Sequence, residues 1–435
     1  MAIQGRRLRR RWWISFPIFW LGQATLFLSS MLVEFALIWW LIETSDSSEE
    51  VLLTAAMMSL LPALVVGPFA GALVDRCSRR AVMILSALAI ALATGLAISL
   101  ILFQALRIWH VYLVLFVRSV GGTFHSPALA SSTSLMVPSS HISGIAGVNQ
   151  MLYGVVSFVS PLLGAFLLGV RSLPRVLSLE LAGAAVAIAV LLAIAIPEPR
   201  ERARDSRTAA AVWQDVRGGL GYLWRWRGLF IALVLMASVN FLLSPALSLL
   251  PVLVTKHLAG GRLELGQLKS AIGIGAIIGG AVLGLTGGFR RRAFTALTGV
   301  AGIGIGILTV GLTPTALPGL VWGSLFVVGF MSPIANGPLM AVVHAKVAPE
   351  MQGRVFTAME SVASVMAVLG VVVASPVAGF TGPRIWYVAA GIACLLMGAG
   401  GFSSRSLRQV DDQDAPPVDW ARSMTGRDVS DDAVS

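Results

Sequence analysis

The stretch GPFAGALVDRCSRR, residues 67–80, ends a long apolar run abruptly with Asp75, Arg76, Arg79 and Arg80. A second stretch, GGAVLGLTGGFRRR at residues 279–292, repeats the rhythm of small residues and the basic stop but lacks the acid. Gly67 and Gly279 lie 212 positions apart, as do Arg79–Arg80 and Arg291–Arg292. Pro127 and Pro138 meet Pro338 and Pro349 at an offset of 211, and SPLLGAF from Ser160 meets SPVAGF from Ser375 at 215. These anchors, in one order and at nearly one offset, predict a duplicated unit. The lone Asp75 then marks a specialisation of the first copy.

The composition says what kind of unit is duplicated. Of 435 residues, 56% are hydrophobic and 12% charged, with a mean hydropathy of +0.83. A soluble domain carries about 25% charge, and a soluble chain this apolar would expose large sticky patches. A polytopic membrane protein follows, with lipid in place of much of the core. Lipid leaves no backbone group unpaired, and no alternating strand pattern appears, so the spans are helices. At about 20 apolar residues per crossing, twelve are expected, near 13–41, 51–74, 81–103, 108–133, 145–169, 174–196, 229–254, 266–287, 293–312, 316–342, 355–379 and 384–402. The apolar run after the basic start MAIQGRRLRRRWW lacks a small-residue cleavage site and reads as a span rather than a signal peptide. Six spans per copy is an even number, so the copies enter the membrane in the same sense. The expected fold is an all-α membrane protein of twelve transmembrane helices in two parallel six-helix repeats.

Charge placement orients it. With the N-terminus in the cytoplasm, 24 of the 32 Lys and Arg fall in cytoplasmic segments and 7 on the opposite side, Lys269 among them; Arg118 remains inside a span. That bias places both termini inside. It also accounts for the net charge of +11 without a nucleic-acid partner. Trp12–Trp13 and Trp39–Trp40 bracket the first span, about 40 Å apart at 1.5 Å per residue, as anchors at the two interfaces. The expected organisation is a basic cytoplasmic N-terminus (1–12), a six-helix bundle (13–196), a charged cytoplasmic linker with an amphipathic surface helix (197–228), a second bundle (229–402) and a polar, disordered cytoplasmic tail (403–435).

Several function classes drop out. There is no Gly-Lys dipeptide, hence no Walker A loop and no ATP hydrolysis by this chain. Cys77 and Cys394 fit no metal spacing and no disulfide framework, and the five histidines form no His-x-x-x-His pair. No nucleophile–base pair points to an enzyme. No cofactor is expected.

What carries chemistry is charge inside the membrane. Arg118, in YLVLFVRSVGG, is costly there and is a functional residue by default. Its counterpart in the second copy is Gly329, so packing alone does not call for Arg; a structural ion pair between spans is the alternative to a functional role. Glu34, in SSMLVEFALIWW, is a protonation site, a cation-binding carboxylate facing a cavity, or a snorkelling interface residue. Glu180 has Arg175 nearby and reads first as an interface ion pair with it. Glu360 pairs either with Arg354 or with the Arg76–Arg80 loop, a gate contact in both cases. His125, below Arg118 on the same helix, joins a relay or simply packs. Pro333 and Pro338 bend the tenth span, which makes Asn336 either a substrate contact or an interhelical hydrogen bond. Gly275-x-x-x-Gly279 and Gly280-x-x-x-Gly284 allow close helix approach.

On GPFAGALVDRCSRR, LFVRSVGGTFHSPAL, LMVPSSHISGIAGVNQ and PEMQGRVF, the chain resembles the major facilitator superfamily over residues 13–402 and, within it, the macrolide-efflux branch of proton-driven drug exporters. The superfamily loop Gly-x-x-x-Asp-Arg-x-Gly-Arg-Arg is matched at Gly71, Asp75, Arg76, Arg79 and Arg80, with Ser78 in place of Gly. The resemblance implies that Asp75 latches the cytoplasmic side when the protein faces outward. The pattern Arg-x-x-Gln-Gly is matched at Arg118 and Gly122, with Gly121 for Gln; the resemblance implies a role for Arg118 in coupling proton movement to transport. SPLLGA from Ser160 resembles a degenerate antiporter signature. The expected function is secondary export of amphiphilic, macrolide-like small molecules by proton antiport, from a monomer in the plasma membrane. Export of siderophores or metabolites, or a non-transporting sensor on the same fold, are the alternatives. No nucleotide site is present, and this favours secondary over primary transport.

Overall fold

A computed structural model describes residues 12–46, 48–137, 142–194, 196, 217–218, 220–224, 226–287, 292–315, 317–347 and 349–403. The basic N-terminus, most of the linker and the polar tail lie outside the described residues. So do the side chains of Asp75 and Arg76.

The first half contributes α1 (Trp12–Thr44), α2 (Glu49–Arg76), α3 (Arg79–Leu102), α4 (Ile108–Met136), α5 (Ile142–Val170) and α6 (Leu173–Ala193). The second contributes α7 (Arg227–Val252), extended by one π-helical turn to His257, then α8 (Arg262–Thr286), α9 (Arg292–Leu312), α10 (Pro318–Lys346), α11 (Pro349–Thr381) and α12 (Pro383–Ser403). Proline at their first positions starts α10, α11 and α12, where its missing N–H costs nothing. The shortest helices have 21 residues, about 32 Å at 1.5 Å per residue, enough to cross a bilayer core. Eleven of the twelve are apolar enough to cross a membrane. The exception is α4, whose Arg118 is followed by SVGGTFHSPALASSTS. Among the described residues there is no strand.

The duplication is visible in the packing. In the first half α1 packs on α5 and α6, α2 on α4, α3 on α4 and α6. Each pairing recurs six helices on: α7 with α11 and α12, α8 with α10, α9 with α10 and α12. The contacts between halves obey the same symmetry, since α5 packs on α8 and α2 on α11.

The two ends of the molecule differ. At the end far from the termini, one buried apolar core runs through both halves, from Leu32, Leu37, Leu41, Leu53 and Leu115 to Leu250, Leu265 and Ala378. Toward the terminus end this core splits. Phe16, Phe19, Val74 and Met83 pack together within the first half, while Leu233, Leu297, Val343 and Val355 pack within the second. Tyr222, Leu223 and Trp226 bury themselves in that second cluster, so the end of the linker docks through an apolar face, with Trp224 exposed.

The copies also end differently at Asp75 and its counterpart. Asp75 lies within α2, which continues to Arg76. Its counterpart, Gly287, terminates α8 at φ 68°, a left-handed conformation that glycine adopts freely. The second copy thus stops its helix where the first still carries a side chain.

Candidate functional site

Between the split cores lies a cavity of about 1190 Å³. Its wall comes from α1, α2, α4 and α5 and from Ile90 of α3, with Phe356, Thr357, Glu360, Ser361 and Ser364 of α11 as the share of the second half. Trp20, Phe27, Tyr153 and Phe356 give it aromatic surface; Phe27 and Tyr153 meet edge to face at 4.8 Å. Drug-sized ligands occupy cavities of about 300–1,000 Å³, so this one has room for a large molecule.

The charged cluster is built on four helices. Arg118 projects from α4 to the cavity wall and is only 8% exposed. Its guanidinium forms an ion pair with Glu180 of α6, itself fully buried. Nη1 also donates to Oγ1 of Thr94 on α3 at 2.9 Å, and Nη2 to the carbonyl of Ser30 on α1 at 2.9 Å. The carboxylate of Glu180 accepts from the hydroxyls of Ser30 and Thr94, each at 2.5 Å. A buried charge is tolerable only when it is paired and hydrogen-bonded, and both ions are. The expected pairing of Glu180 with Arg175 is therefore corrected. Glu180 lies seven residues into α6, about 10 Å from its start, and points into the bundle, where Arg118 comes from the neighbouring helix.

Glu34 of α1 lines the same cavity and is exposed to it. Its charge acts on Arg118 and also on Lys269 of α8. Lys269 is thus a partly buried residue of the interface between halves and not, as its charge suggested, one that belongs outside the membrane. Glu360 of α11 is exposed to the cavity, toward the terminus end. Arg354, six residues earlier, passes close to Gly218 of the linker. His125 lines the cavity seven residues from Arg118, about 10 Å along the helix; its ring lies near the backbone of Met83, and its buried Nδ1 has no hydrogen-bond partner among the described residues.

The loop residues Gly71, Asp75 and Arg76 fall in the last turns of α2. Arg79 and Arg80 open α3. Arg80 donates to the carbonyl of Leu192 at 2.5 Å and so neutralises a bare carbonyl in the last turn of α6. Its counterpart Arg292 donates to Ala341 of α10 at 3.0 Å. Asn336 lies outside the large cavity. It bonds to Ser332 of its own helix at 3.2 Å and lines a separate pocket of about 50 Å³ among α7, α9 and α10.

Two residues escaped the sequence reading. Gln23 is 4% exposed, lines the cavity, and neither atom of its amide group bonds to protein. Asn149 accepts a hydrogen bond from the Trp20 indole at 2.5 Å, across the cavity wall. Polar residues in apolar spans were the available sign for both.

At the far end the halves lock together. Gly266 of α8 packs on the backbone of Pro161 in α5, Gly273 on that of Phe158, and Ser270 donates to the Phe158 carbonyl at 2.6 Å. Lys256 reaches both carboxylate oxygens of Glu49 at 3.0 Å. Gly275 and Gly279 pack on α10 as their spacing predicts, whereas Gly280 and Gly284 face open space.

Residues 19–371 match the family model for the Major Facilitator Superfamily. The chain belongs to this superfamily. It is 29% identical over 386 residues to Macrolide efflux protein A of Streptococcus pyogenes, which covers 88% of this chain and 95% of that protein. It is 27% identical to the Multidrug efflux pump Tap of Mycolicibacterium fortuitum, over 86% of this chain and 91% of the pump. Its fold is similar to that of the human organic anion transporter MFSD10 (TETRAN), with a TM-score of 0.64 at 18% identity, covering 90% of this chain and 99% of the other. The superfamily protein described here is thus a multi-pass membrane transporter.

Proposed function

We propose that this transporter exports amphiphilic, macrolide-like small molecules from the cytoplasm and that inward proton flow drives it. The observation that carries this reading is the cavity of about 1190 Å³, with aromatic walls, the carboxylates of Glu34 and Glu360, and the Arg118–Glu180 pair along it. The similarity to macrolide and multidrug efflux proteins supports this substrate class and direction. With both termini in the cytoplasm, the cavity faces inward, where a drug that has crossed the membrane is collected. Gln23, whose amide group makes no bond to protein among the described residues, orients the bound molecule. Glu34 takes up the proton. Asp75, Arg76 and Gly71, with Arg79, Arg80, Arg354 and Glu360, form the cytoplasmic gate that closes when the halves rock about the cavity.

The test is macrolide accumulation in a drug-hypersensitive bacterium that expresses the chain, with and without a protonophore. Lower accumulation, restored by the protonophore, is the expected result. Unchanged accumulation with the protein present in the membrane removes the macrolide class and leaves siderophores and metabolites as the candidate substrates. In inverted vesicles, Glu34→Gln is expected to flatten the pH dependence of substrate flux. A pH profile identical to that of the parent excludes Glu34 from proton uptake.

A further inference from the structure

The ions near the centre of the molecule do not balance within the first half. Arg118 is neutralised by Glu180, which leaves Glu34 as an uncompensated carboxylate on the cavity wall. The ionisable groups that face it are few. Arg118 approaches from α4 and Lys269 from α8, and Glu180 stands behind Arg118 on α6. The span of α2 between Glu50 and Asp75 holds no ionisable residue, α5 holds only Tyr153, and the part of α10 that packs on α8 holds none before His344.

The packing brings Glu34 and Lys269 to one level. Phe35, beside Glu34, packs against Gly164 of α5. Gly266, one turn before Lys269, packs against Pro161 and Ala165 of the same α5 turn. Residues 161–165 are thus held between α1 on one side and α8 on the other. Lys269 shares its helix face with Gly266, Ser270 and Gly273, the residues that seal the seam between halves.

We propose that Lys269 is the internal counter-ion of Glu34, and that this pair, one member from each half, holds the far end closed until a proton or a cationic ligand takes its place at Glu34. Once Glu34 is neutral, Lys269 is left as an uncompensated cation in an apolar seam, which is strongly unfavourable. Separation of α8 from α5 gives it water. Opening of the far end is then the direct response to loading of the cavity. This account deepens the proton-coupled export reading, on which its place in a transport cycle rests; the pairing itself does not depend on it.

The test reads the pair without substrate or gradient. A hydrophobic carbodiimide labels a carboxyl group only when it is protonated, and mass spectrometry follows its attachment to Glu34 in the purified protein against pH. Lys269→Gln is expected to raise the midpoint of labelling by about one pH unit or more, because a nearby cation favours the ionised carboxylate. Lys269→Arg keeps the parent midpoint, and so does Lys256→Gln. An unchanged midpoint in Lys269→Gln overturns the pairing and leaves the export reading intact. Conversely, protonophore-insensitive accumulation sinks proton-driven export and leaves the pairing intact. Where Lys269→Gln is not recovered folded, the swapped pair Glu34→Lys with Lys269→Glu decides it: recovery of the swapped chain supports the pairing, and loss of both overturns it.

Discussion

Removal of the Arg118 side chain leaves Glu180 ionised and buried with only the hydroxyls of Ser30 and Thr94 for company. Breaking a buried pair in this way costs about 3–5 kcal/mol, whereas replacing both ions by apolar residues of similar size is often neutral. Arg118→Leu alone is therefore expected to lower the thermal unfolding midpoint in detergent markedly, and Arg118→Leu with Glu180→Leu to recover most of it. Transport by that double variant separates the two roles considered for Arg118: retained flux assigns it to structure alone, and lost flux in a stable protein assigns it to coupling. Arg118 was legible in the sequence because a charge stands out in an apolar run. Its partner was not, since Glu180 is 62 positions away while Arg175 is five. Spacing along a helix says nothing about which neighbour a side chain meets across the bundle. Gln23 and Lys269 were hidden for the same reason.

At the scale of elements, the seam between α5 and α8 is made of backbone against backbone. A Cβ on Gly273 would come within 2.6 Å of the Phe158 amide nitrogen; within the second half, one on Gly329 of α10 would run into the Ile272 carbonyl of α8. Gly329 is the counterpart of Arg118, so the second copy uses for close packing the position that the first uses for charge. Gly273→Val forces the halves apart at the far end. It is expected to raise reaction of a cysteine placed at Ser270 with a membrane-impermeant thiol reagent, relative to the same cysteine beside Gly273. Equal reactivity would mean that the seam does not hold that end shut. Helix number and repeat register were readable from hydropathy and from the offset near 212. Boundaries shifted by a few residues, because helices here extend past the apolar stretch into polar turns, as α1 does to Thr44 and α11 to Pro349.

For the whole molecule, the joined core at one end and the split cores at the other describe one member of a pair of states. The symmetric contacts α5 with α8 and α2 with α11 are the surfaces on which the halves would rock. The Glu49–Lys256 bridge spans the halves at the closed end, with Lys256 43% exposed. Such a pair is worth no more than about 1 kcal/mol, so Glu49→Gln is expected to change stability little. A covalent tie at the same place is different. With Cys77 replaced by Ser, a short thiol cross-linker between Glu49→Cys and Lys256→Cys is expected to stop flux, and a cleavable linker to restore it on cleavage. Undiminished flux through the cross-linked protein would show that this end does not open during transport. The existence of two halves followed from the repeat, but which end is closed did not, because the sequence is common to both states.

The weak hydropathy of α4 reaches beyond the finished protein to its synthesis. A charge at the centre of a span raises the cost of insertion by about 2.5–3.5 kcal/mol, and among the described residues α4 is the one long helix that lacks an apolar window sufficient to offset it. The carboxylate that would compensate Arg118 is encoded 62 residues later, about 3–12 s of ribosome time at 5–20 residues per second. During that interval the nascent chain holds a helix that lipid does not welcome. The insertion machinery, rather than the bilayer, has to shelter α4 until α6 arrives, and a chain truncated before α6 will leave it stranded there.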